Sequence, residues 1–100
     1  MIKHMILWKL KAELSPEQKQ EAKQAAKQAL EELSGKIEGL LEIKVHINGL
    51  ESSNADMMLV SSFTDEQALK GYQVHPAHQA AANGFVRPVT EQRLCLDFEL

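Results

Sequence analysis

Apolar and polar positions alternate with period two at the start of the chain: Ile2, His4, Ile6, Trp8 and Leu10 share one face, and Lys3, Met5, Leu7 and Lys9 the other. This predicts a strand with apolar side chains on both faces. The period changes at Ser15-Pro16-Glu17-Gln18, which supplies a capping serine, a proline at the first helical position and a glutamine three residues after the cap. Ala22, Ala25, Ala26, Ala29, Leu30 and Leu33 follow at helical spacing, so a helix is predicted up to the stop at Ser34-Gly35. The stripe Lys19, Lys23, Lys27 on that helix is expected to be a solvated face. Residues 42–48 alternate strictly, with Ile43, Val45 and Ile47 on one side, which predicts a strand apolar on a single face. Asn48-Gly49 and Ser52-Ser53-Asn54 predict a hairpin-type loop into a third strand over 57–63, apolar on both faces. Thr64-Asp65-Glu66-Gln67 opens a short helix, expected to be interrupted at Gly71. Pro76 launches another over 76–83, with Gly84 suited to a left-handed cap. Leu94, Leu96, Phe98 and Leu100 then alternate with Arg93, Cys95, Asp97 and Glu99, a strand apolar on one face.

The order is βαββαβ, an α+β chain with a ferredoxin-like four-stranded antiparallel sheet, in which right-handed crossovers put both helical connections on one sheet face. That topology places strands one and three in the centre, and these are the two that read as apolar on both sides. Helices cover only one face, so the other needs a cover. Burying four or five large side chains there contributes on the order of 6–15 kcal/mol before association costs, which a face-to-face homodimer would recover.

Composition narrows the picture further. One hundred residues suit a single domain spanning 1–100. The 44% apolar content rules out global disorder. Fourteen acidic against 11 basic side chains, a net charge of −3, supply no basic field for phosphates, so nucleic acid is not an expected partner. The longest apolar runs, such as Met5-Ile6-Leu7-Trp8, fall far short of the roughly 20 residues that cross a bilayer, and no membrane association is expected. Met1-Ile2-Lys3-His4 leads straight into strand-like sequence without a cleavable leader pattern. A single Cys95 can form no internal disulfide, and a cytoplasmic location is expected.

Candidate chemistry concentrates in Tyr72-Gln73-Val74-His75-Pro76-Ala77-His78, which holds the only tyrosine and two of four histidines. His78 falls in the first turn of the last helix, where free amides and the positive dipole end disfavour an imidazolium. A neutral imidazole accepts a proton, and a nearby phenol donates to a carbonyl oxygen becoming an enolate. Packing and capping explain the same residues without any reaction, and His75, fixed by the following proline, suits a structural cap as well as a place beside substrate. His4 shares a face with Ile6 and Trp8, either lining a pocket or satisfied in the core. No metal site is expected: His75 and His78 are spaced like ligands but have no cysteine near them in sequence. Cys95 has no activating neighbour in sequence and reads as inert. No GxGxxG, P-loop or GxSxG pattern occurs.

Ile2-Lys3-His4 opening the first strand, Phe63-Thr64 before the short helix, and the Tyr-x-x-His-Pro-x-His segment over 72–78 together make the chain similar to the stress-responsive A/B barrel (Dabb) family along nearly its whole length. The resemblance implies a dimeric α+β barrel. Most members have no assigned reaction. A plant branch closes linear polyketides by aldol condensation, with a histidine base and a tyrosine partner at positions that match His78 and Tyr72; His4 matches a family pocket position. Where that branch lines its first helix with aromatic side chains, this chain has Ala22, Ala25 and Ala26. The leading expectation is a cofactor-free pocket that binds or transforms a small carbonyl compound, with His78 as base, Tyr72 as its partner, and His4 and His75 at the substrate. Two alternatives stand beside it: a noncatalytic stress-associated homodimer, and a cofactor-independent monooxygenase-like barrel.

Overall fold

In the computed structural model, which describes residues 1–100, the elements follow the predicted order. They are β1 (Ile2–Leu10), α1 (Pro16–Glu31), β2 (Leu40–His46), β3 (Met57–Phe63), α2 (Glu66–Val74), α3 (Pro76–Ala81) and β4 (Thr90–Glu99). The strands form one antiparallel sheet in the order β2-β3-β1-β4, so β1 and β3 are central. This is the ferredoxin-like arrangement that the pattern of faces predicted.

Local signals work as their chemistry requires. The Ser15 hydroxyl accepts from the Gln18 N–H at 3.1 Å while the Ser15 N–H donates to the Gln18 side chain at 2.8 Å. Asp65 caps α2 by accepting from the Ala68 N–H at 2.8 Å. Four details differ from expectation. First, β2 spans 40–46 rather than 42–48: Gly39 at φ 81° accepts the Thr64 N–H and starts the ladder early, and a register shift between Leu40 and Glu42 hides that start from the alternation. Second, α2 runs through Gly71 to Val74. A glycine costs a helix only about 1 kcal/mol, and the burial of Leu69 and Tyr72 on the same helix outweighs it. Third, Gly84 is no left-handed cap. It lies inside a π-helical turn over Ala82–Val86, closed by the Arg87 N–H on the Ala82 carbonyl, and a short 3₁₀ turn over Arg87–Val89 leads into β4. Fourth, the lysine stripe of α1 is not simply solvated. Lys27 donates to the Val45 carbonyl at 2.7 Å and to Glu31 at 2.8 Å, and Lys23 reaches the Ile47 carbonyl, so the two lysines blunt the free edge beside β2.

The core lies between sheet and helices, where Ile6, Trp8 and Leu10 of β1 and Leu59 and Phe63 of β3 meet Leu30, Leu33, Leu69 and Tyr72. On the opposite face, Leu7, Leu94, Leu96 and Phe98 are exposed, with Met5, Met58 and Val60 only partly covered. The one-sided strand β4 therefore turns its apolar side away from the helices. Its polar side, Arg93, Cys95 and Asp97, pairs with Trp8, Ile6 and His4 and lies beyond the reach of the helix layer.

Candidate functional site

The start of β4, Thr90 and Arg93, helps wall a cavity of about 380 Å³ between sheet and helices. His4, Ile6 and Trp8 of β1 supply the floor with Leu59; Tyr72 and Gln73 of α2, His78 of α3 and Leu30 of α1 form the roof; Arg87, Thr90 and Arg93 stand on the β4 side.

Tyr72, His78 and His4 come together here. The Tyr72 ring lies 4.3 Å from that of His78, 6.1 Å from that of His4 and 5.0 Å from that of Phe63, centroid to centroid. Pro76 brings this about. It breaks the helical run at His75, so α3 turns back and lays its first turn against the last turn of α2. Tyr72 is 1% exposed, yet its hydroxyl has no hydrogen-bond partner. Burial pushes its ionisation well above the ordinary phenol value, so the group stays an O–H donor.

Burial also holds His78 below the ordinary imidazole value, and the Arg87 and Arg93 guanidiniums press the same way, against the opposing bond to the Gln73 carbonyl. That carbonyl accepts from Nδ1 at 3.2 Å, which assigns the proton to Nδ1 and leaves the Nε2 lone pair free. A neutral histidine of this tautomer is equipped to accept a proton.

His4 is 2% exposed and its Nδ1 is bonded to the Asp97 carboxylate, its cross-strand partner. A carboxylate only accepts, so Nδ1 donates and the ring is held in place. His75 stays outside the cavity. Its Nδ1 accepts from the Ala77 N–H at 3.1 Å and caps α3, which leaves it unavailable to a ligand through that nitrogen.

Residues 2–100 match the family model described as Stress Responsive A/B Barrel Domain. The chain belongs to this family. A dimeric protein of unknown function with a ferredoxin-like fold from Bacteroides fragilis superposes on this A/B barrel domain with a TM-score of 0.93 at 31% identity, over 99% of this chain and 95% of that one. A dimeric ferredoxin-like protein of unknown function from Thermobifida fusca gives 0.77 at 25% identity, over 99% and 90%. Hydroxynitrile lyase from Passiflora edulis shares the fold at 0.71 and 16% identity, over 97% and 90%. No curated protein matches the sequence.

Sequence reasoning missed the β4 contribution to this A/B barrel domain. Arg93, Cys95 and Asp97 were legible as the polar face of a one-sided strand, but that face reads as solvent until β1 is known to pair with it. Cys95 has neighbours after all, its Sγ lying 3.7 Å from His4 Nδ1 and 3.5 Å from Asp97 Oδ1. Burial pushes the thiol up, and the Asp97 charge adds to that, so it is a poor nucleophile. Arg87 is tied to Gln79 and Asn83 across the π turn.

Proposed function

We propose that the cavity binds a small carbonyl-containing compound and moves an acidic proton next to its carbonyl, with His78 as the base and Tyr72 as hydrogen-bond donor to the carbonyl oxygen. The observation that carries this reading is the buried Tyr72 hydroxyl without a partner, 4.3 Å ring to ring from a histidine kept neutral by burial. An unpaired buried hydroxyl costs about 1–3 kcal/mol, and a ligand oxygen removes that cost. As the proton moves to Nε2 of His78, negative charge develops on the carbonyl oxygen, where the phenol donor and the positive charges of Arg87 and Arg93 stabilise it. His4, held by Asp97, is assigned to substrate binding on the cavity floor. The chemistry uses side chains alone and asks for no cofactor.

The reading extends to assembly. Leu7, Leu94, Leu96 and Phe98 expose a continuous apolar face, and relatives of the same fold are described as dimeric, so a second copy of this chain is assigned to that face. A lone cysteine fits a reducing compartment such as the cytoplasm.

The test is ligand-observed NMR with a panel of 1,3-dicarbonyl and ketone fragments in deuterated water. The expected result is fragment binding together with protein-dependent exchange of the α-protons, with exchange lost in a folded His78→Gln variant. Absence of any binding fragment, or exchange as fast in His78→Gln as in the parent, overturns the proposal and favours a noncatalytic dimer.

A further inference from the structure

The roles assigned above leave Cys95, beside the His4–Asp97 pair, unexplained. His4 Nδ1, Cys95 Sγ and Asp97 Oδ1 all lie within 4.8 Å of one another. The backbone brings this about without help from a loop. Asp97 is the direct cross-strand partner of His4, and Cys95 sits two residues earlier on the same face of β4, diagonally across from it. Neither packing nor the His4–Asp97 pair requires a thiol there, since Cys95 is exposed and contributes nothing to the core.

We propose that these three atoms form a site for a divalent transition metal of the zinc class, with a fourth coordination position open to water or a ligand oxygen. The donor set decides the class: one thiolate, one imidazole and one carboxylate suit zinc or cobalt and are unlike the all-oxygen shells of calcium and magnesium. Two of the three spacings agree with it. Bonds of about 2.3 Å to sulfur and 2.0–2.1 Å to nitrogen or oxygen, at tetrahedral angles, require sulfur-to-nitrogen and sulfur-to-oxygen edges of about 3.5–3.6 Å. The structure gives 3.7 Å and 3.5 Å. The third edge is closed by the direct His4–Asp97 hydrogen bond. The ion replaces that bond, and Asp97, whose side chain is 38% exposed, has room to turn aside and admit it. His4, buried on the central strand, provides the fixed ligand. Three protein ligands and one open position describe an exchangeable site rather than a closed structural one. The proposal shares His4 and Asp97 with the acid–base reading, but metal binding is measured without turnover, so the two fail separately.

The experiment is a titration of chelator-treated protein with Co²⁺ and, separately, Zn²⁺, in a buffer with a non-thiol reductant. Cobalt is expected to bind at one equivalent with a sulfur-to-metal charge-transfer band in the near ultraviolet and the visible bands of a tetrahedral ion. Cys95→Ser, at an exposed position and with melting unchanged, loses the charge-transfer band. Its affinity for Zn²⁺ falls at least about tenfold, the lower end of what losing even an outer-shell partner costs. Asp97→Asn keeps the sulfur band and weakens binding. No binding at micromolar metal overturns the proposal. So does binding that is the same in Cys95→Ser as in the parent, which places the ion on other histidines.

Discussion

Replacing Tyr72 by Phe separates a functional hydroxyl from a structural one, because the two roles predict opposite signs. The ring makes the packing contacts, with Phe63 at 5.0 Å and His78 at 4.3 Å between centroids, and the substitution keeps it. Only the hydroxyl is lost, and it has no partner in a position that is 1% exposed. Leaving such a group unpaired costs about 1–3 kcal/mol, so at the low end of that range its removal stabilises the free protein by about 1 kcal/mol. In a domain of this size that raises Tm by about 4–8 °C. The same change removes the donor assigned to the developing oxyanion, and loss of one such donor slows a reaction by about 10²–10³-fold. Calorimetry and fragment-driven proton exchange on one preparation measure both. A Tm several degrees below the parent would show that the hydroxyl is already satisfied in the fold, and the reasoning from its isolation would fail.

The pH dependence of stability tests His78. Its folded-state value lies below the ordinary 6.5, so between the two the unfolded chain holds more protons; the contribution is present above pH 6.5 and is lost as pH falls below it. Urea denaturation at pH 5 and pH 7.5 is expected to show a smaller stability difference in His78→Gln than in the parent, and an unchanged difference would contradict the assigned burial. Gly39→Ala places a Cβ 2.4 Å from that of Ala68 at φ 81°, whereas Gly35→Ala at φ 79° meets nothing within 4 Å. Strain alone costs about 1–3 kcal/mol, so Gly35→Ala is expected at that level and Gly39→Ala clearly beyond it by chemical denaturation; equal losses would refute the close approach. Leu96→Lys puts a charge at the middle of the exposed apolar face, at a position 65% exposed and opposite Met5. Light scattering is expected to give a dimer for the parent and a monomer for the variant, and a parent that is already monomeric would remove the assigned interface.

Most of the architecture was legible because it is written in short-range patterns. Period two against period 3.6 located every strand and the main helices, the cap at Ser15 and the capping-box pattern over 64–67 marked helix starts, the second with Asp65 rather than Thr64 as the cap, and the two-sided apolar strands named the centre of the sheet. Errors fell where tertiary contacts overrule local preference. Buried Leu69 and Tyr72 carried α2 through Gly71, a π turn absorbed Gly84, and lysines of α1 found the carbonyls beside an edge strand.

The candidate site divides along the same line. Tyr72, His75 and His78 are neighbours within a single helix-proline-helix turn, so sequence by itself brought a phenol and an imidazole close together, while the expectation of His75 at the substrate gave way to its capping of α3. Only the tertiary structure decided that the phenol has no partner, and that Asp97 and Cys95 stand beside His4 across separations of 93 and 91 residues. Burial and cross-strand register are properties of the packed sheet, and no window of sequence contains the strands that create them.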